Sequence, residues 1–169
     1  MGNAFTLSNT IDLKKLAPKN NEILVGWKSG DPHAGTGEDI AEIARKLTFG
    51  AGPQTWTRTL GGKTETFHVD HIPARPILED GIYADKEIIN AKIAEYWKKV
   101  ISGESARNLL ESIGAACVGA VQKFARMGGY SQSIPNSKKW AEFKQGDKPW
   151  LDTGQVIDST TYVTHEEGK

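Results

Sequence analysis

Apolar and polar positions follow two rhythms along this chain. From Thr55 to Leu60 and from Lys63 to Val69 they alternate every second residue around Gly61-Gly62, which is strand spacing about a glycine pair able to supply the positive φ angles of a tight turn. Pairing outward from that turn sets Leu60 against Lys63, Thr59 against Thr64, Arg58 against Glu65, Thr57 against Thr66 and Trp56 against Phe67. One face of the ribbon then carries an aromatic pair and an ion pair, and the other carries threonines. A single apolar spot is too little to bury both faces, so the hairpin is expected to project as a β-arm.

Helical spacing governs three other stretches. Thr36, with Asp39 three residues on, is the expected N-cap of a short amphipathic helix through Ile40, Ile43, Ala44 and Leu47, which Gly50, Gly52 and Pro53 end. A longer pattern runs through Ile82, Ile89, Ile93, Tyr96 or Trp97, and Val100. A second one runs through Leu109 or Leu110, Ile113, Ala116 or Cys117, Ala120 or Val121, Phe124 and Met127, with Gly128-Gly129 as its C-cap. Its interior glycines, Gly114 and Gly119, each cost about 1 kcal/mol of helix propensity, which close packing on a neighbour would offset. Glu22 to Ser29 and Thr160 to Thr164 read as strands. Tyr130 to Lys148 reads as a long polar loop anchored by Pro135, Trp140 and Phe143, and Asp152 or Thr153 is expected to cap a short helix.

The predicted fold is α+β: a small, mostly antiparallel sheet with a projecting hairpin, packed against two long helices. Residues 1–21, polar and closed by Pro18-Lys19-Asn20-Asn21, form an N-terminal arm, and residues 22–169 form one domain. A chain of 169 residues suffices for one core.

Charge and composition narrow the chemistry. Lys plus Arg and Asp plus Glu both number 21, a balance that disfavours a protein built to grip phosphate backbones. The single cysteine, Cys117, rules out a disulfide framework or a multi-cysteine zinc site within one chain, and its place on an apolar helix stripe argues against a nucleophile. No stretch approaches the roughly 20 apolar residues of a membrane span. Gly35-Thr36-Gly37 and Gly50-Ala51-Gly52 lack the lysine and hydroxyl residue of a phosphate-binding loop. The best candidate for catalysis is His68-Val69-Asp70-His71, three potential metal ligands in four residues with His33 available from a loop. In an extended chain His68 and Asp70 share a face while His71 points away, so a common metal requires a bulge or strand end at Asp70. Asp70-His71 before Ile72-Pro73 is similar to the start of an HNH nuclease motif, but no glycine pair follows and Asn90 is followed by Ala91-Lys92.

A series of short motifs carries a different likeness. In order stand Val25-Gly26, a helix closing on Phe49-Gly50, the hairpin, Pro73-Ala74-Arg75-Pro76-Ile77, two helices, a loop with Asn136, Lys148-Pro149-Trp150-Leu151-Asp152-Thr153-Gly154, and the strand of Thr161, Tyr162 and Val163. From roughly Glu22 to Thr164 the chain resembles the small neck and tail-completion proteins of tailed bacteriophages, the group that includes tail terminators and head-tail joining proteins. It departs from that pattern at Thr48, where an acidic residue is usual, at Ile77, often phenylalanine, and at Trp150, more often leucine.

The resemblance implies a structural virion protein without catalytic residues, metal or cofactor. It would be assembled in the host cytoplasm into a hexameric ring that completes the tail and joins it to the connector. The partners implied are other copies of the chain, the tail tube protein and the head-tail connector or adaptor, with DNA passing through the lumen unread. In such a ring Trp56, Arg58, Glu65 and Phe67 are expected at the subunit interface. Phe49, Gly50, Pro73, Arg75, Pro76, Lys148, Pro149, Leu151, Asp152, Thr153 and Gly154 are expected as structural motif residues. Two alternatives are a small metal-dependent nuclease or hydrolase using His68, Asp70 and His71, and an assembly factor that leaves the finished particle.

Overall fold

The structure, a computed structural model, describes residues 22–103 and 107–165; the arm expected over residues 1–21 lies outside the described residues. In chain order the elements are β1 (Glu22–Gly26), α1 (Ile40–Phe49), β2 (Gln54–Leu60), β3 (Lys63–Val69), α2 (Ile77–Ala84), α3 (Lys86–Ile101), α4 (Arg107–Arg126), α5 (Lys138–Phe143), α6 (Gln155–Asp158) and β4 (Thr161–His165). The class is α+β with antiparallel strands.

Helix α4 is the spine. Its stripe of Leu110, Ile113, Cys117 and Ala120 joins Ile89 and Tyr96 of α3 in one core cluster, while Val121 and Ala125 further along join Ile40, Ala44, Ile77, Trp150 and Ile157 in another. Helix α2 crosses α4 so closely that a β-carbon at Gly81 would fall 2.8 Å from the Cα of Val121. Gly114 has the same purpose on another side, because a β-carbon there would fall 2.3 Å from the Tyr162 ring of β4. Gly119 faces open space and has no such explanation. The helix ends as its sequence predicts. Gly128, at φ 81°, lets its own N–H and that of Gly129 reach the carbonyls of Ala125 and Phe124.

The strands form two separate two-stranded ribbons, where the sequence reading had one sheet: β1 pairs with β4, and β2 with β3. The reason lies in what each ribbon covers. Ile23 and Val25 turn inward onto the α3–α4 cluster, which leaves Leu24 between them and its cross-strand partner Val163 on the outer face. The hairpin instead packs its aromatic face on α5.

Two more expectations change. The long helical pattern from Ile82 to Val100 is two helices broken at Asp85, whose carboxylate accepts from Lys123 Nζ at 2.7 Å. The polar loop from Tyr130 to Lys148 contains α5, which Ser137 caps by accepting from the Trp140 N–H. At the far end of that loop, α6 starts on Gly154 in the left-handed region, not on a side-chain cap from Asp152 or Thr153.

Candidate functional site

The hairpin register is the predicted one, pair for pair from Leu60↔Lys63 to Trp56↔Phe67, and it continues to Thr55↔His68 and Gln54↔Val69. The outer face is a threonine ladder, with Thr57 and Thr66 hydroxyls 2.9 Å apart and Thr59 and Thr64 likewise. The inner face differs from expectation. Trp56 stacks on Phe67 at 5.5 Å, but Arg58 and Glu65 each take a partner elsewhere: Arg58 Nε donates to Asp152 Oδ2 at 2.9 Å, and Lys139 pairs with Glu65 at 3.0 Å. Phe67 also meets Trp140 and Phe143 edge-on at 4.9 and 5.1 Å. With Phe67 at 3% exposure and Arg58 at 5%, these two expected interface residues are spent inside the protomer. A ribbon needs only one apolar face to dock, and α5, unseen in the sequence, supplies the surface. The Gly61-Gly62 tip remains exposed.

Between this inner face, α1, α5 and the Pro149 to Val156 segment lies a cleft of about 290 Å³. Its walls are largely apolar, formed by Ile43, Leu47, Trp56, Val69, Ile72 and Trp140. The motif residues meet here, and each has a definite structural task. Gly50, at φ 79°, permits the antiparallel bridge between Ala51 and Ile72; a β-carbon at residue 50 would fall 2.8 Å from the Ile72 carbonyl. Phe49 itself points outward, 73% exposed. After Pro73, the Arg75 N–H is shared by the Leu47 and Thr48 carbonyls at the end of α1, and Pro76 opens α2. The buried Arg75 guanidinium donates to the carbonyls of Ile134 and Pro135 at 2.9 and 3.0 Å.

The second motif closes the cleft. Lys148 Nζ donates to the Arg126 carbonyl at the end of α4. Pro149 is buried, and Trp150 stacks on Trp27 at 5.6 Å, nearly parallel, while the Trp27 indole donates to the Val156 carbonyl at 2.6 Å. Leu151 packs against the core at its side. Thr153 Oγ1 accepts weakly from the Gln155 N–H. Gln155 then pins the opposite loop, accepting from the Ala34 N–H at 2.8 Å and donating to the Pro32 carbonyl at 3.2 Å. Lys144, one residue beyond α5 and buried, donates to the carbonyls of Lys148 and Leu151.

Electrostatics in this wall are unusual for their burial. Desolvation pushes the Lys144 ammonium down to about 8 from its ordinary 10.5, with Asp152 pulling the other way. His33, buried beside Arg58, is likewise held below its ordinary value by burial first and by the nearby guanidinium second. Its Nδ1 accepts from the Gly35 N–H at 3.3 Å. Gly35 makes room for the arginine: a β-carbon there would fall 1.4 Å from Arg58 Nη1.

The metal candidate does not assemble. His68 sits on the outer face bonded to Thr55 at 2.9 Å, His71 lines the cleft, and among the described residues no three His, Cys, Asp or Glu side chains come together in a group fit for a metal. Cys117 is buried, and burial pushes its thiol up, away from thiolate reactivity. No described helix is long and apolar enough to cross a membrane.

Sequence reasoning missed Lys144, the Gln155 pin and the cleft itself. Ser137 before Trp140 carried a legible cap signal for α5. Nothing local marked Lys144 or Gln155, since their partners are carbonyls and a loop fixed only by the fold.

The chain matches no protein-family model, no curated protein and no solved structure at a significant level.

Proposed function

We propose that this chain is a structural subunit of the phage neck, forming a ring at the head-tail junction that completes the tail and joins it to the connector. The observation that carries the reading beyond the motif series is uncovered apolar surface in two different places. On α3, Ile93, Trp97 and Ile101 follow one another at i, i+4 and i+8 with Trp97 45% exposed, and on the outer face of the β1–β4 ribbon Leu24 and Val163 stand paired and half-exposed. Contiguous apolar side chains of this kind mark association surfaces. Two unlike patches suit the heterologous, head-to-tail contacts of a closed ring. The motif residues support the same reading, because Arg75, Lys148 and Asp152 are all engaged in building the fold and none is held ready for catalysis. The ring interface assigned to Trp56, Arg58, Glu65 and Phe67 moves accordingly to Leu24, Val163, Trp97 and Ile101.

Quantitative mass spectrometry of purified virions tests this. About six or twelve copies per particle is the expected result for a cyclic neck ring. Absence from virions sinks the proposal. Trp97→Asp should leave a folded monomer that no longer enters particles, and normal incorporation of that variant would remove α3 from the interface.

A further inference from the structure

Four cations lie in or directly behind the wall of the cleft, Lys46, Arg58, Arg75 and Lys144, against three carboxylates, Glu38 and Asp152 in the wall and Asp147 near Lys144 behind it. Lys46 pairs with Glu38, and Arg58 Nε pairs with Asp152. Arg75 and Lys144 are held only by backbone carbonyls, which solvate a charge without neutralising it. Unfilled donors add to this excess. Arg58 uses one nitrogen on Asp152, and its terminal nitrogens make no hydrogen bond to any described residue.

We propose that the cleft is a docking site for an extended peptide segment of a partner protein, in which an acidic side chain lies two residues from a large apolar one. The carboxylate answers the uncompensated positive charge and the spare donors of Arg58, and the apolar side chain lies against Trp56, Trp140 and Leu47. The spacing follows from the host: Trp56 and Arg58 are two apart on one face of β2, roughly 7 Å, which is the separation of same-face side chains in an extended ligand. Aromatic walls beside a buried guanidinium fit such a segment better than a nucleic-acid backbone, whose phosphates repeat without apolar groups on the same side. The proposal does not depend on the ring, and it stands or falls by itself.

The test uses the full chain and two synthetic pentapeptides, acetyl-Gly-Phe-Gly-Glu-Gly-amide and its Glu→Gln counterpart, titrated by calorimetry and by tryptophan fluorescence. The acidic peptide should bind saturably, and the neutral one at least about tenfold more weakly, as expected for loss of a charge-assisted hydrogen bond. Trp140→Ala should weaken both peptides alike. Arg58→Lys, which keeps a cation but loses the rigid fork that can hold Asp152 and a ligand carboxylate at once, should narrow the gap between them. Equal affinities for the two peptides, no saturable binding of the acidic one, or tighter binding of a short single-stranded DNA in the same cleft would each overturn the proposal.

Discussion

Replacing Lys144 by methionine tests the buried-cation account directly, because the result depends on a slope and not on a difficult absolute energy. In the folded protein the ammonium has an affinity for its proton near pH 8; in the unfolded chain it returns to 10.5. Below pH 8 both states carry the proton, and the folded state bears the full cost of a charge held only by the Lys148 and Leu151 carbonyls. Between pH 8 and 10.5 the unfolded chain keeps a proton that the folded protein has released. Stability attributable to this residue therefore rises with pH across that window. Worked through the linkage relation with those two values, the gain from pH 7 to pH 10 is about 2 to 3 kcal/mol. Other groups oppose it, since the raised Cys117 thiol and Tyr130 hydroxyl lose stability as they ionise, but they act on both proteins and cancel in the difference. The assay is urea unfolding of wild type and Lys144→Met at half-unit intervals from pH 7 to 10. Wild type should gain on the variant by that amount, mostly above pH 8. Parallel curves would mean that the ammonium is hydrated and the buried-cation picture of the cleft wall is wrong.

Other substitutions follow from the same geometry. Gly81→Ala should cost roughly 2 kcal/mol or more in urea unfolding because its β-carbon meets the α4 backbone, while Gly119→Ala, with nothing within 4 Å, should stabilise by about 0.5–1 kcal/mol; the same sign for both would refute the close-crossing argument. Arg58→Met strands the Asp152 carboxylate and should cost about 3–5 kcal/mol, whereas adding Asp152→Leu should recover much of the loss, and simple additivity in the double-mutant cycle would show that the pair is not coupled.

Some local signals in this sequence were read correctly because a short-range rule decides the answer, although the caps of the two short helices α5 and α6 were not among them. The Gly61-Gly62 turn fixes the register of every pair in the hairpin, and the stripe of α4 with its Gly128 cap follows from a 3.6-residue period. The failures share a cause as well. Helix α5 has six residues, fewer than two turns, too few for periodicity to stand out from a polar loop. Whether four strands make one sheet or two depends on which helix each covers, and no spacing along the chain records that Tyr162 lies on Gly114 or that Trp27 stacks on Trp150.

The hairpin shows how an unread element redirects a functional inference. With no helix in the Tyr130 to Lys148 stretch, an aromatic pair on one face of an isolated ribbon has nowhere to go except another molecule. Once Trp140 and Phe143 are placed on α5, the same pair has an intramolecular partner, Glu65 finds Lys139, and Arg58 reaches Asp152 across 94 residues of sequence. Apolar surface left for association is then whatever the described helices and ribbons leave uncovered, the α3 stripe and the Leu24–Val163 pair among it. The motif residues gain a common meaning by the same step. Arg75 ties its loop to the Ile134–Pro135 carbonyls, Lys148 ties its loop to the end of α4 and Asp152 ties its loop to β2, and those ties hold the walls of a cleft that no single segment foretells.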